Sequence, residues 1–175
     1  MKKGLILTLV CTMIIMSTTA TSQTRRRTAP RRSQSAAKAA AEKTAAEVKA
    51  GRERVAAQIK TLTHFLYLYG GITKGIESTE QATRESAASA VVLEQNERNK
   101  VKVRDSIRNV RAGLDKLEAD FRFSPALRNY YTQLAGVASS AQAAENQAAA
   151  NRFDEAGRSL LRVVSQLADT LALMR

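Results

Sequence analysis

Cysteine occurs once in this sequence, as Cys11, inside an apolar run near the N-terminus. A single thiol cannot form a disulfide within the chain, and a thiolate metal site needs several. Thr8, Leu9 and Val10 in front of it do not fit a lipoprotein processing site, which takes a small residue directly ahead of the cysteine. Histidine is equally scarce. His64 has Lys60 and Thr61 one turn before it and no acidic partner within a turn, whereas zinc and di-iron sites in helical proteins need convergent histidines and carboxylates such as Glu-x-x-His pairs. No Cys-x-x-Cys-His haem attachment is present. Neither G-x-S-x-G nor a G-x-x-x-x-G-K-[ST] phosphate loop is present, and tryptophan is absent. These absences lead us to expect no catalytic centre, no metal and no cofactor.

Helix breakers are rare as well. The only prolines are Pro30 and Pro125, and the eight glycines are few for the length. From Ala36 onward alanine is abundant and the apolar residues recur at helical spacing. Val48, Val55, Ile59, Leu62, Leu66 and Tyr69 form one seam, and Val103, Ile107, Val110, Leu114, Leu117 and Phe121 a second. Leu127, Tyr130, Leu134, Val137, Ala141, Ala144 and Ala148 make a third, whose alanines let a neighbouring helix approach closely. Phe153, Leu160, Val164, Leu167, Leu171 and Met174 make the last, widened by Leu161 and Val163.

Turn signals are Gly70-Gly71, the NERN stretch at 96–99, Ser124-Pro125 (an N-cap followed by proline at the first helical position) and Asn151-Arg152. Their even spacing predicts matched helices of about 25 residues, each roughly 37 Å long. The expected fold is all-α, an antiparallel up-and-down helical bundle of four to five helices over residues 36–175, with Ser35 as first N-cap. Should NERN not break the chain, residues 72–122 form one rod.

What precedes the bundle is different in kind. Lys2 and Lys3, the apolar run Leu5–Met16 and the small residues before Ala20 have the pattern of a signal peptide over residues 1–20, with Ser22 as an alternative cleavage point. Twelve residues of helix span only about 18 Å, short of a ~30 Å hydrocarbon core. The alternative is an uncleaved anchor through residues 4–20, which the arginines beyond it would hold with its C-terminus in the cytoplasm. Residues 21–60 carry 11 basic and 3 acidic side chains, whereas residues 61–175 are nearly balanced at 15 and 13. The densest charge is Arg25, Arg26, Arg27, Arg31 and Arg32, in a segment, 21–35, with no aliphatic side chain larger than alanine. Such a segment cannot offset the entropy of ordering and is expected to be a disordered basic arm.

Guanidinium groups bind phosphate and carboxylate in a bidentate manner, so the arm is an anion-binding candidate. For an exported, periplasmic or secreted protein the expected partner is an anionic envelope surface: lipid head groups, lipopolysaccharide or cell-wall polymer. A protein partner or self-association through the exposed edge of the Ala36–Tyr69 helix is the other expected contact. Nucleic acid is the alternative for a cytosolic arm, and no aromatic residue interleaves the arginines to stack on bases.

Three weaker features stand in the helical part. Lys100, Arg104, Arg108 and Arg111 form a basic stripe beside the second seam, read first as a solvated face or inter-helix ion pairs and second as an anion surface. If the turns fall where the signals do, Phe65, Tyr69, Phe121, Tyr130 and Tyr131 gather at one end of the bundle as a core plug or an aromatic patch. Gly71 and Gly75 make a G-x-x-x-G, read as a turn or a close packing point.

ANRFDEAGRSLL at 150–161 looks like the turn and second-helix start of a tetratricopeptide repeat. It occurs once and lacks the 34-residue period. The basic, helical, exported profile is similar in composition to periplasmic chaperones and stress adaptors, a likeness that assigns no residue a role.

Overall fold

The computed structural model describes residues 31–85 and 89–174, with side chains from Ser35 onward, and these residues form helices without a strand among them. The elements are α1 (Arg31–Arg84), α2 (Ala90–Phe123), α3 (Arg128–Leu134), α4 (Val137–Ala149) and α5 (Phe153–Leu173). The expected all-helical body is therefore present, but its helices are not matched in length.

Gly70-Gly71 does not end α1. The core positions Val55, Leu62, Tyr69 and Ile76 follow one another at seven-residue intervals straight through the glycine pair. Burial on both sides outweighs the ~1 kcal/mol that each helical glycine costs. NERN does not break α2 either, because Asn96 and Lys100 on this stretch are buried and Lys100 pairs with Glu80 of α1. The first two helices are instead separated between Arg84 and Ala90. The described helix also begins at Arg31, four residues before the expected cap at Ser35.

The later breaks fall where the sequence signals them, but Ser124 ends α2 as its C-cap rather than opening the next helix, Pro125 lies in the turn 125–127, and α3 begins only at Arg128. At Ser124 the backbone turns extended, and its carbonyl oxygen accepts N–H bonds from Leu127 and Arg128, both at 3.1 Å. Asn151 takes a left-handed φ of 59°, which asparagine tolerates better than most residues. A break that the sequence reading missed lies at Gly136, where φ is 91°. It divides the third segment into α3 and α4.

Packing runs in a ring: α1 against α2, α2 against α3 and α4, these two against α5, and α5 against α1. Neighbours are antiparallel. Arg54 meets Asp120 while Glu80 meets Lys100; Glu118 meets Ala138 while Arg104 meets Ala148; Gly51 lies beside Met174 while Tyr69 meets Phe153. The core is built on the four predicted seams, joined by Ile76 and Ala156, while Leu161 of the last seam is exposed. Val55 and Leu62, Ile107 and Leu114, Leu134 and Val137, and Leu160 and Leu167 are all fully buried, each worth about 1.5–3 kcal/mol against exposure. Ala141, Ala144 and Ala148 are also fully buried. Gly51 is a true close approach, since a Cβ there would lie 2.6 Å from Leu127 Cδ2.

α1 overshoots this body. Its side chains from Ser35 to Ala46 are exposed, and the first to touch the core is Val48. The helix thus runs from Arg31 for roughly 25 Å before its first core contact at Val48.

Candidate functional site

Of the five arm arginines, Arg25, Arg26 and Arg27 lie outside the described residues. Arg31 and Arg32 stand in the first turn of α1. Beyond them the exposed overhang adds Lys38 and Lys43 against Glu42. The Lys38–Glu42 contact is loose at 3.9 Å, and an exposed pair of this kind contributes little.

The basic stripe of α2 is differently placed. Lys100, only 7% exposed, bonds Glu80 at 2.8 Å and Glu97 at 2.7 Å. Arg104 donates to the Ala148 carbonyl at 3.2 Å and to Asn151 Oδ1 at 2.6 Å. Arg108 and Arg111 converge on Glu145 of α4, at 3.1 and 3.0 Å. Arg111 Nε and Glu145 Oε2 are both buried and form an ion pair without hydrogen-bond angles. Arg111 also donates through NH1 to Gln142. The stripe makes ion pairs and hydrogen bonds from α2 onto α1 and α4, with Arg108 still more than half exposed.

Local charge follows from these contacts. The hydrogen bonds from Glu80 and then Glu97 raise the Lys100 ammonium above its ordinary range despite burial, and the Lys100 hydrogen bond lowers Glu97 below the usual carboxylate range. Burial pushes the Tyr69 phenol well above its ordinary value, helped by the charges of Asp154 and Glu77.

The aromatic residues do not gather. Phe65 and Tyr69 stack at 5.4 Å between centroids, and Tyr69 reaches Phe153 at the start of α5. Phe121 lies next to Asp120, which pairs with Arg54, and so sits about 15 residues of α1, roughly 22 Å, from Tyr69. Tyr130 and Tyr131 belong to that second end, partly buried on α3. Because α1 runs on past Gly70-Gly71, Tyr69 lies along the helix rather than at a turn, and the one-end grouping fails.

Some functional contacts had no signal in the sequence. The Glu118 carboxylate of α2 accepts the N–H groups of Gly136 and Ala138 at 3.2 and 3.1 Å, capping α4 from a neighbouring helix. Gln166 Nε2 of α5 donates to the carbonyls of Gln133 and Ala135, both at 2.9 Å.

His64 is exposed on α1. Among the described residues no three histidine, cysteine or carboxylate side chains cluster as a metal site. A cleft of about 440 Å³ is lined by Gln147, Glu155, Arg158 and Arg162. Its polar groups are engaged locally, Arg158 with Asp154 and Glu155 with Arg152. No described helix is long and apolar enough to cross a membrane. Comparison of the chain with family models, curated proteins and solved structures found no match.

Proposed function

We propose that this is an exported, non-enzymatic protein of the bacterial cell envelope, in which the arginine-rich segment attaches an up-and-down helical bundle to an anionic surface. One contrast carries the reading. The cations of the bundle's basic stripe are spent on partners within the fold, while the arginine run adjoins a helix exposed on all sides from Ser35 to Ala46. Surplus charge on a projecting arm is available to an external anion; charge in a clamp is not. The shared chemistry is phosphate or carboxylate, as presented by lipid head groups, lipopolysaccharide or cell-wall polymer. The signal-peptide pattern of residues 1–20 supports envelope anions over nucleic acids as the arm's partner.

The test is binding of the purified protein to vesicles containing phosphatidylglycerol, against phosphatidylcholine alone, with duplex DNA as competitor. Each arginine near an anionic membrane contributes about 1 kcal/mol. Changing Arg25, Arg26 and Arg27 together to glutamine then weakens binding by about 100-fold. Equal binding to neutral vesicles, or no change in the variant, contradicts the proposal. Preferential capture by DNA favours the nucleic-acid reading.

A further inference from the structure

The G-x-x-x-G of α1 is used neither as a turn nor as a packing point within the bundle. Among the described residues, a Cβ at Gly70, Gly71 or Gly75 meets nothing within 4 Å. Each glycine costs a helix interior about 1 kcal/mol relative to alanine, and packing among the described residues requires none of the three. Gly71 and Gly75 lie on the outward face of α1, opposite the core line of Leu62, Tyr69 and Ile76. Tyr67 on the same face is 82% exposed, with Leu68 and Ile72 exposed at its edge.

The two halves of this face are complementary about the glycine pair. Going outward from the glycine pair, the next positions at spacings of three and four are Tyr67 and Ser78, then His64 and Ala82, then Lys60 and Glu85. All are exposed except the half-buried Ala82. We propose that α1 pairs through this face with α1 of a second copy, antiparallel, about a two-fold axis between Gly71 and Gly75. Gly71 of one copy then meets Gly75 of the other, which lets the backbones approach. Tyr67 meets Ser78 and His64 meets Ala82, so each ring lies over a small residue. Lys60 meets Glu85 at both ends. Along the edge Leu68 faces Thr79. A parallel pairing sets Lys60 on Lys60, Tyr67 on Tyr67 and Glu85 on Glu85, and is disfavoured by charge and by shape. The self-complementary order is what an isologous interface requires. From the axis to Arg31 is about 63 Å of helix, so the two arginine arms point away from each other.

The experiment is sedimentation velocity on the purified protein beginning at Thr21, over a concentration series, with three variants. The chain is expected to dimerise at micromolar concentration, as small specific interfaces do. Gly71→Leu should weaken the dimer by about tenfold or more while leaving helix content intact, since the space beside Gly71 is open. Lys60→Glu should weaken it by about two- to fivefold, and Lys60→Glu with Glu85→Lys should restore it. The restoration separates antiparallel register from general loss of folding. A monomer up to about 100 µM, a dimer indifferent to Gly71→Leu, or a charge swap without rescue overturns the proposal.

Discussion

The Tyr69 hydroxyl donates to the Phe153 carbonyl oxygen at 2.5 Å, joining the middle of α1 to the first residue of α5. This bond fixes the level at which α5 starts against α1. Tyr69→Phe keeps the ring and should cost about 1 kcal/mol, the net worth of one hydrogen bond. Tyr69→Ala should cost about 3–5 kcal/mol because it also empties the core beside Gly157. Urea denaturation of both variants separates the two contributions. The phenol is raised in the folded state, so its contribution is complete below the unfolded value near pH 10 and is lost as pH rises. The alkaline limb of the stability curve should be flatter in Tyr69→Phe.

Lys100 lies where α1 and α2 run on beyond α4 and α5, and its ammonium sits between Glu80 and Glu97. Glu97 is lowered in the folded state. The stability it brings is present above its unfolded value near 4.3 and is lost as pH falls through the folded value. Lys100 is raised, so its share is present below about 10.4 and is lost as pH climbs past the folded value. Lys100→Met keeps the buried stem and leaves both carboxylates within reach of water. Its cost at pH 7 should be within about 1 kcal/mol, and thermal melts from pH 3 to 7 should show a shallower acid limb than wild type.

Glu118 supplies the cap that α4 lacks in its own sequence. Glu118→Ala should destabilise by about 1–2 kcal/mol, as loss of an N-terminal cap does. Gly136→Ala should cost at least about 1 kcal/mol, because φ there is 91°. Equilibrium unfolding of each variant, and of the pair, should show coupling between the two sites, which share one hydrogen bond.

Glu145 holds Arg108 and Arg111 together. Glu145→Ala removes the counter-charge of a half-buried arginine and should cost about 2 kcal/mol. If the stripe were instead an external anion site, the same variant would leave stability unchanged and increase binding to anionic vesicles.

The seams were legible from spacing alone. Val55, Leu62, Ile107, Leu114, Leu134, Leu160 and Leu167 were all placed in the core by their three- and four-residue intervals, and all are buried. Two helix ends were legible because proline at 125 and asparagine at 151 act locally. The rest was decided by tertiary contact. Gly70-Gly71 and NERN look like breaks but are held helical by Ile76 and Lys100 packing across the α1–α2 pair. Gly136 looks like one more small residue in an alanine-rich stretch, and the carboxylate that makes it a break comes from Glu118, 18 residues earlier. Moving the first turn from residue 70 to the stretch after Arg84 changed which aromatic residues share an end, and that error cost the aromatic patch. The arginine run was conspicuous in the sequence, and nearly all of what can be argued about it comes from its chemistry.

The export claim is tested most directly by the intact mass of the protein together with its compartment after cell fractionation. The account expects a mass beginning at Thr21 or Gln23 in the soluble periplasmic or secreted fraction, which assigns the arginines to envelope anions. A full-length mass in the membrane fraction contradicts it, leaving an anchor through residues 4–20 and returning nucleic acid as the partner to pursue.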